Sequence, residues 1–290
     1  MKFNFIGIGA QKCASTWIYR ILSDHPEVAV YPGKEIDFFS NYYDHGYQWY
    51  EGHLGDADDA KVMGEVSTSY FADSDTPERV FSYNPGMRVV LSLRDPIERA
   101  YSNHLHEVRH MRFTGHNLEF ENGLENNPMY LMQSYYAQQL ARWLAVFPRS
   151  QVLVLFQEDI RDAPLMQAQN LYRFLGVSED HQSWFLDKKV NESRALKNAK
   201  LDGFLKGLGR FGRSIGVGAV VEAVKKNGLV RHLRRSHNQI DLRQVIPPMR
   251  EDTRLRLQDM LADDMCELSR QLGREDLPWP SWLALNKKSK

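Results

Sequence analysis

The sequence predicts an α/β protein in which a central parallel sheet of about five strands is flanked by helices. Short apolar runs alternate along the chain with longer segments whose apolar residues recur at helical spacing. Each short run is bounded by Pro, Gly, Asp or Asn, the residues that commonly separate elements. The chain has 290 residues, of which 42% are hydrophobic and 26% charged, so it is long enough to bury a large core.

Five apolar runs are predicted to be the strands, a number that agrees with typical sheet sizes. They are Phe3–Ile8, Val28–Tyr31, Val62–Val66, Arg88–Leu93 and Val152–Phe156. Helices are predicted at Thr16–Ser23, Tyr135–Phe147, Leu165–Leu175 and Arg250–Leu272. Trp143 and Phe147 are assigned to packing, because aromatic residues at helical spacing lie more often in a core.

Charge and cysteine content set few limits on partners. Lys plus Arg number 37 and Asp plus Glu also number 37, so the net charge favours no class of partner. Cys13 and Cys266 are the only cysteines; they make neither a disulfide framework nor a Cys-rich metal site, so a reducing compartment is expected. The N-terminal apolar run is too short for a signal peptide, and no run approaches the ~20 residues of a membrane-spanning helix. A cytoplasmic location is therefore expected.

Residues 7–17, GIGAQKCASTW, follow the first predicted strand and open a helix. At such a place the N–H groups of the first helical turn and the helix dipole both favour a bound anion. Small residues let the backbone approach a ligand, Lys12 adds a mobile positive charge, and Ser15 and Thr16 add hydroxyl donors. The turn therefore predicts a phosphate or sulfate cradle. The competing interpretation is that a strand–turn–helix connection simply needs small residues and a cap.

The nearest familiar pattern is the Walker A loop, G-x-x-x-x-G-K-[ST], and the fold is accordingly predicted to be P-loop-like with three layers. The pattern is incomplete, because Gln11 stands where a glycine would precede Lys12. Cys13 stands where nucleotide kinases have the hydroxyl that holds magnesium. The missing hydroxyl argues against metal-dependent phosphoryl transfer and favours a loop that works without metal.

A second anion site is predicted after the fourth strand, where residues 94–102 read RDPIERAYS. Asp95 is a good N-cap and Pro96 suits the first helical position. Arg94 then lies at the carboxyl end of a strand, where open α/β sheets bind ligands. A guanidinium group together with the Ser102 hydroxyl suits a second phosphate. The alternative is that Arg94 only pairs with an acid and that Ser102 is a surface residue.

A lysine-bearing turn after the first strand and R-D-P-x-x-R-A-Y-S after a later strand together resemble the PAPS-dependent sulfotransferases, PAPS being 3′-phosphoadenosine 5′-phosphosulfate. The resemblance is to the bacterial and glycan-modifying branch that includes the heparan sulfate enzymes. Residues 34–39, KEIDFF, and residues 64–71, GEVSTSYF, resemble further segments of that branch. The helix and the strand predicted within residues 136–158 also resemble segments of that branch, as does the C-terminal segment around residue 279. The resemblance covers most of the chain apart from residues 199–239.

The resemblance implies roles for individual residues. The lysine turn would hold the 5′-phosphosulfate of the donor and residues 94–102 its 3′-phosphate, and adenosine 3′,5′-bisphosphate (PAP) would be the product. Lys12 would also neutralise charge on the leaving oxygen. Glu35 would be the general base that takes the acceptor proton, and Lys34 would lie beside donor and acceptor. The implied donor-binding residues are Gln11, Lys12, Cys13, Ala14, Ser15, Thr16, Trp17, Arg94 and Ser102; no metal is implied.

Several further residues have more than one interpretation. Asp37 stands where the heparan enzymes commonly have His, which leaves the acceptor undetermined. His104 and His106 are rival bases; because they lie two apart on one helix, at most one of them can reach a site. Glu65 and Ser67 either shape the acceptor side, or orient Lys34, or have a purely structural role. Four further aromatic residues could stack on adenine or on a sugar face: Tyr70, Phe71, Tyr135 and Tyr136.

A single domain is expected over residues 1–290, with an insertion at about 199–239. This segment is Gly-rich and basic, with nine Lys or Arg against two acidic residues between Lys200 and Arg235. A solvated loop with helical turns is the default interpretation. Recognition of an anionic glycan or a cap over the acceptor pocket stays open. Contact with a membrane surface is not expected, although apolar residues accompany the positive charges.

The predicted function is transfer of the sulfuryl group of PAPS to an acceptor hydroxyl, expected on a carbohydrate, by in-line displacement. Sulfation of a lipid or small-molecule alcohol by the same chemistry is the main alternative. A P-loop nucleotide kinase is another, against which the incomplete Walker A pattern weighs. A non-catalytic module that binds PAPS-like nucleotides or sulfated glycans is also left open. No nucleic-acid partner is expected.

Overall fold

The computed structural model describes residues 2–53, 60–110, 118–186, 194–196, 239–241 and 246–288. The predicted insertion at 199–239 lies outside these residues, apart from Gln239. The chain groups into two compact units. The first takes in residues 1–103, 124–190 and 250–290, and the second takes in residues 104–123 and 191–249. The expectation of one domain over residues 1–290 stays a prediction.

Helices and strands alternate along the described chain, as the sequence predicts. In chain order the elements are β1 Phe5–Gly9, α1 Ser15–Ser23, β2 Val28–Val30, α2 Phe38–Asn41, α3 Gly46–Glu51, β3 Val62–Val66, α4 Thr76–Tyr83, β4 Arg88–Leu93, α5 Pro96–Arg109, α6 Phe120–Asn126, α7 Met129–Met132, α8 Tyr136–Val146, β5 Val152–Phe156, α9 Gln157–Asp162, α10 Pro164–Leu175, β6 Arg194–Leu196, β7 Gln239–Asp241, α11 Glu251–Leu272 and α12 Pro280–Lys288. Short 3₁₀-helices occupy Tyr43–His45 and Arg149–Gln151.

The first five strands form one parallel sheet in the order β2-β3-β1-β4-β5. This arrangement confirms the predicted α/β class and the predicted number of strands. β1 lies at the centre between β3 and β4, and these inner strands are buried along almost their whole length, as strands covered on both faces should be. Gly64 of β3 passes so close to the carbonyl of Phe5 that any side chain at this position would collide with it.

Element boundaries agree closely with the sequence-based predictions. Three strands have the predicted bounds, and α1, α8, α10 and α11 match the four predicted helices to within one residue at each end. β1 begins at Phe5 rather than Phe3, because the N–H and carbonyl groups of Phe3 form hydrogen bonds with side chains. Its N–H donates to the Tyr83 hydroxyl at 3.1 Å, and its carbonyl accepts from Asn84 at 3.0 Å. β2 ends at Val30, one residue earlier than predicted.

The core of the first unit forms where helices lay their apolar faces against the sheet. Ile18, Ile21 and Leu22 of α1 and Leu171 and Leu175 of α10 are buried in one cluster with strand residues. Each such side chain contributes roughly 1.5–3 kcal/mol when it is fully buried.

α8 buries one face, and its first turn forms a hydrogen bond with a side chain of α11. Asp264 of α11 accepts a hydrogen bond from the N–H of Ala137, at 3.0 Å, at the start of α8. Trp143 and Phe147 are buried, which confirms their assignment to packing. Among the described residues, no helix combines the length and the apolar character needed to cross a membrane.

Candidate active site

The predicted site residues meet at the carboxyl ends of neighbouring strands. The sheet order brings the ends of β2, β3, β1 and β4 side by side. The lysine turn follows β1, residues 94–102 follow β4, and residues 34–39 follow β2 closely. This is the edge at which open α/β sheets bind their ligands. The predicted anion-binding turn and Arg94 therefore follow adjacent parallel strands.

The backbone of the lysine turn is shaped to receive an anion. Lys12 and Ala14 both have left-handed conformations, with φ of 69° and 68°, which are uncommon for residues other than glycine. Left-handed residues in turns of this kind can point nearby N–H groups toward one place, as they do in anion-binding nests. Ala14 is the N-cap of α1, and its methyl group cannot compete with a ligand for the helix N-terminus.

β4 holds this turn in place. The N–H of Ala10 donates to the carbonyl of Ser92 at 2.7 Å. The Ser92 hydroxyl is within hydrogen-bond reach of the carbonyls of Cys13 and Gly9. Gly9 has a φ of 127°, and a Cβ there would lie 3.2 Å from the carbonyl oxygen of Thr68, so this position requires glycine. The centre of the sheet therefore fixes both ends of the turn.

Two residues of the predicted donor-binding set turn their side chains inward. Cys13 is fully buried, and burial raises the pKa of its thiol to about 11, which excludes a reactive thiolate at neutral pH. The indole of Trp17 is 8% exposed and packs in the core cluster with α10. Cys13 and Trp17 can therefore contribute only backbone groups to a ligand. Ser15, at the first position of α1, is largely buried, whereas Gln11, Lys12, Ala14 and Thr16 are partly exposed.

The predicted catalytic residues of the KEIDFF segment lie beside the helix that follows the lysine turn. The Nζ of Lys34 is 3.2 Å from the Thr16 Oγ1 at the start of α1, and 3.2 Å from the Oε1 of Glu35. The hydroxyl of Thr68 donates to the same Oε1 at 3.3 Å. In the described part of the chain, no hydrogen bond engages the Oε2 of Glu35, and its side chain is 39% exposed. Glu35 is thus oriented through one oxygen and accessible through the other.

The loop that carries Lys34 and Glu35 is strained and is fastened to the end of β3. Lys34, Glu35 and Asp37 have positive φ values of 50°, 65° and 55°. Conformations of this kind cost on the order of 1 kcal/mol each and persist where the surroundings over-determine them. Three successive N–H groups supply that constraint, since those of Glu35, Ile36 and Asp37 donate to the Val66 carbonyl, the Glu65 carboxylate and the Ser67 hydroxyl at 3.0, 3.2 and 3.0 Å.

Glu65 supports this loop from below. Its side chain is fully buried and accepts hydrogen bonds from the hydroxyls of Tyr50 at 2.9 Å, Tyr70 at 2.7 Å and Ser67 at 2.6 Å, besides the N–H of Ile36. Burial raises the pKa of Glu65, while these donors act in the opposite direction. Glu65 therefore positions the loop through the N–H of Ile36 and is shielded from solvent. Tyr70, a candidate for ring stacking in the sequence, is instead buried as one of its donors.

At the predicted second anion site, the structure confirms the helix start, while phosphate binding there stays a prediction. The Asp95 carboxylate caps α5 by accepting from the N–H groups of Ile97 and Glu98, at 3.0 and 3.3 Å. The Arg94 guanidinium lies 3.6 Å from the Glu98 carboxylate, which Arg254 also contacts at 2.9 Å. Glu98 is therefore shared between two arginines, and the pairing of Arg94 with an acid agrees with the alternative interpretation of the sequence. Ser102 is half-buried on α5.

Tyr136 links the two predicted anion sites, a role that the sequence does not reveal. It is buried, which is why it cannot be the stacking surface considered from the sequence. Its hydroxyl donates to the carbonyl of Arg94 at 3.0 Å and lies 3.6 Å from the Sγ of Cys13. The start of α8 thus contacts the backbone that precedes α5 and the interior of the lysine turn at once.

Arg99, the second arginine of the RDPIERAYS segment, is a further residue to which the sequence assigns no role. It is fully buried and donates to the Ser134 hydroxyl at 2.8 Å, to the Gln133 side chain at 3.2 Å and to the Tyr130 carbonyl. Within the residues that the structure describes, it makes no ion pair with a carboxylate. Burial lowers the pKa of its guanidinium, yet that group stays charged at neutral pH. Its position in the motif is the one signal that could have identified it.

The rival histidine bases have structural contacts. In the second unit, the Nε2 of His104 lies 2.9 Å from the carbonyl of Leu118, and the ring packs edge-on against Phe120. Burial lowers the pKa of His104. The Nδ1 of His106 lies 3.1 Å from the Arg109 guanidinium, within the same unit. No group of three or more His, Cys, Asp or Glu side chains in the described residues could hold a metal ion.

The fold is P-loop-like, and the residues predicted to bind two anionic groups lie at the carboxyl ends of adjacent strands. A family profile described as "Sulfotransferase domain" matches residues 4–203. The chain therefore belongs to the sulfotransferase family. That membership confirms the resemblance read from the two anion-binding motifs and makes the chain a transferase enzyme.

Individual relatives agree with the family. The chain is 28% identical over 299 residues to bifunctional heparan sulfate N-deacetylase/N-sulfotransferase 3 of Mus musculus, which covers 97% of this chain and 31% of the relative. It is 32% identical over 112 residues to the membrane-associated sulfotransferase kil1 of Dictyostelium discoideum, covering 38% of this chain and 24% of the relative. The chain thus spans less than a third of the length of these curated relatives.

A solved structure shows the same architecture. A sulfotransferase from Alicyclobacillus acidocaldarius superposes with a TM-score of 0.60 at 25% sequence identity, covering 77% of this chain and 96% of the other. The match confirms the predicted fold class, a central parallel sheet with flanking helices.

Proposed function

We propose that this chain transfers the sulfuryl group of PAPS to an acceptor hydroxyl on a carbohydrate, with Glu35 as the general base. One observation carries the proposal. The Nζ of Lys34 lies 3.2 Å from both Thr16, at the start of the helix behind the lysine turn, and Glu35. A cation thus connects the predicted sulfate cradle to a partly exposed carboxylate. Family membership supports PAPS as the donor.

The donor set fits both ends of a doubly phosphorylated adenosine. The nest formed by Lys12 and Ala14 offers backbone N–H groups, the dipole of α1 and the Lys12 side chain to the phosphosulfate. Arg94, on the adjacent strand, offers a guanidinium fork to the 3′-phosphate. The small residues of the turn leave room for the anion. Cys13 fits as well, because its buried side chain does not compete for the cradle.

PAPS supplies an activated sulfuryl group, and the residues of this chain position it and handle the proton. As the acceptor oxygen bonds to sulfur, the bond from sulfur to the bridging oxygen breaks, and the acceptor proton passes to Glu35. Lys12 neutralises the charge that develops on the leaving phosphate oxygen. Lys34 holds Glu35 through Oε1, which leaves Oε2 for the proton. Positioning and charge stabilisation carry most of the catalysis in group transfers of this kind.

Replacement of the base tests the catalytic assignment. Glu35→Gln removes the proton acceptor and keeps its volume, so turnover with labelled PAPS should fall about 10²–10⁴-fold. Calorimetric affinity for PAP should stay unchanged, because Glu35 does not face the predicted phosphates. Glu78→Gln, at an exposed position of α4, is the matched control and should behave like wild type. Undiminished turnover in Glu35→Gln would remove Glu35 from the mechanism, and turnover absent from wild type would favour a binding module.

Replacement of the two cations tests donor binding. Lys12→Ala and Arg94→Ala should each weaken PAP binding roughly 10–100-fold, the range expected for a lost charge-assisted hydrogen bond. Arg161→Ala removes an exposed arginine paired with Asp162 and serves as the control. Unchanged affinity in both site variants, or absence of PAP binding by the folded wild type, would overturn the proposal.

An amino group is a second candidate acceptor, because the relative that spans 97% of this chain is named an N-sulfotransferase. Labelled product distinguishes the two, since nitrous acid at low pH releases sulfate from N-sulfo groups and leaves O-sulfate esters intact. Sulfation of a lipid or small-molecule alcohol is scored in the same acceptor screen.

A further inference from the structure

A run of aromatic rings lies on the outer side of the segment that follows the KEIDFF loop. His45, Trp49 and His53 are four residues apart, so they occupy one face of α3 and its flanks. Tyr42 joins them from the turn before α3, and Tyr31 joins them from the end of β2. These five residues are called the aromatic strip below.

Ring contacts connect the strip from end to end. Ring centroids lie 5.2 Å apart for Tyr31 and His53, 4.4 Å for His53 and Trp49, and 4.7 Å for Trp49 and His45. Tyr42 lies 5.8 Å from Trp49. The Nδ1 of His53 is also 2.9 Å from the Trp49 carbonyl, which fixes the ring at that position. The strip is therefore an ordered surface of rings.

The strip is at least partly open to solvent, unlike the ring pair on the opposite side of the segment. Tyr42 is 45% exposed, His45 is exposed, and the other three residues are partly exposed. On the opposite side of the same segment, Phe38 and Tyr50 stack at 4.5 Å and are completely buried. The core of this segment is thus supplied by other rings, and a contiguous patch of rings that is open to solvent is a candidate binding surface.

The strip begins at the loop that carries the proposed base. The carbonyl of Tyr31 accepts the N–H of Lys34 at 3.4 Å. The Tyr31 ring covers Gly33, where an added Cβ would lie 2.5 Å from ring carbons. The Tyr31 end of the strip is therefore packed against the start of the segment that carries Lys34 and Glu35.

We propose that the aromatic strip is an acceptor subsite that binds an uncharged oligosaccharide by stacking sugar rings on its aromatic faces. The inference rests on the proposed function and specifies its acceptor. Sugar rings have an apolar C–H face and a polar edge, and amphipathic rings such as Tyr and Trp match both. Exposed Asn41 and Gln48 beside the strip add polar partners for hydroxyl groups.

Charge selects the neutral class of saccharide. Residues 41–53 contain Asp44 and Glu51 and no Lys or Arg. Glu35 and Asp37 add two further carboxylates at the loop end, where Lys34 is engaged with Thr16 and Glu35. A polyanionic chain would meet like charge there. We therefore expect the strip to disfavour a polyanionic acceptor such as the heparan sulfate named for the relatives of this chain.

The experiment uses the full chain and titrates chitohexaose, cellohexaose and maltohexaose, with a heparosan hexasaccharide as the polyanionic counterpart. Binding is followed by tryptophan fluorescence and calorimetry, and sulfation by labelled PAPS. We expect at least one neutral hexasaccharide to bind and to be sulfated better than its disaccharide. Trp49→Ala and Tyr42→Ala should each weaken that binding about ten-fold.

Trp184→Ala, at a tryptophan that is 61% exposed on another loop, is the matched control and should bind like wild type. PAP affinity should be unchanged in all three variants, which also shows that they are folded. The inference is overturned if no neutral hexasaccharide binds, if the heparosan hexasaccharide binds best, or if both strip variants bind like wild type. Failure of the proposed function is separate, because it shows as absent PAP binding while saccharide binding is still measured.

Discussion

Glu65 is buried beneath the loop that carries Lys34 and Glu35, and four hydrogen-bond donors converge on its carboxylate. One of these donors is the N–H of Ile36, the residue next to the proposed base. Glu65→Gln places an amide NH₂ where the loop needs an acceptor, so the loop should shift and Glu35 should lose its alignment. A misplacement on the order of 1 Å can cost about 10² in rate, so kcat should fall about 10–100-fold while PAP affinity is retained.

The pKa of Glu65 adds a pH-dependent signature. Burial raises this pKa above its ordinary value of 4.5, so the folded chain binds the proton more tightly than the unfolded chain. Below pH 4.5 both states are protonated; as pH rises through the raised value, the native state loses stability relative to the unfolded state. The free energy of unfolding of wild type minus that of Glu65→Gln should therefore be largest at low pH and should decrease as pH rises.

Urea denaturation of both proteins at a series of pH values measures this difference. Asp264→Asn is a matched control, because burial also raises the pKa of Asp264, which caps α8. Its effect on stability should vary with pH in the same direction. A pH-independent difference for Glu65→Gln, or an unchanged kcat, would contradict a positioning role for Glu65.

At the scale of elements, α8 braces the two anion sites through the hydroxyl of Tyr136. Tyr136→Phe removes only the oxygen that contacts the Arg94 carbonyl and the Cys13 thiol. Stability should fall by about 1 kcal/mol, since a buried carbonyl loses its donor. PAP should also bind more weakly, because both subsites lose a shared support. Calorimetry and urea denaturation measure the two effects.

Tyr172→Phe is the control for this substitution. The Tyr172 hydroxyl is buried in α10 and has no hydrogen-bond partner among the described residues. Its removal should be neutral or slightly stabilising, because no partner is left unsatisfied. If the two variants lose stability and PAP affinity equally, then Tyr136 does not brace the site.

The elements of this fold were largely predictable from the sequence because their signals are local. The β4 strand ends at an RDP segment whose Asp and Pro mark a helix start within three residues, and the structure follows that pattern.

The order of strands in the sheet and the contacts between residues distant in sequence were not predictable. Tyr136 meets Cys13 across 123 positions, and nothing in its helical spacing distinguishes that contact from ordinary packing. Glu65 likewise reads as one polar residue in an apolar strand until its tyrosine donors are located.

At the scale of the whole molecule, one ligand should join two segments that are far apart in sequence. The lysine turn and residues 94–102 lie on adjacent strands, so PAP bound to both would link β1 to β4. A ligand that binds only the folded state stabilises it by RT ln(1 + [L]/Kd), about 2.7 kcal/mol at 100 times the Kd. Adenosine 5′-monophosphate, which lacks the 3′-phosphate, should stabilise less than PAP at equal concentration.

Thermal unfolding with each nucleotide, in wild type and in Lys12→Ala and Arg94→Ala, tests this linkage. Arg94→Ala should reduce the advantage of PAP over the monophosphate, because that advantage comes from the 3′-phosphate that Arg94 is proposed to hold. Lys12→Ala should lower the response to both nucleotides. Turnover should also survive a magnesium chelator, because Cys13 stands where a kinase needs a hydroxyl for its metal. Equal stabilisation by both nucleotides in every variant would show that the two anion sites do not share one ligand, and loss of turnover with the chelator would favour the kinase alternative.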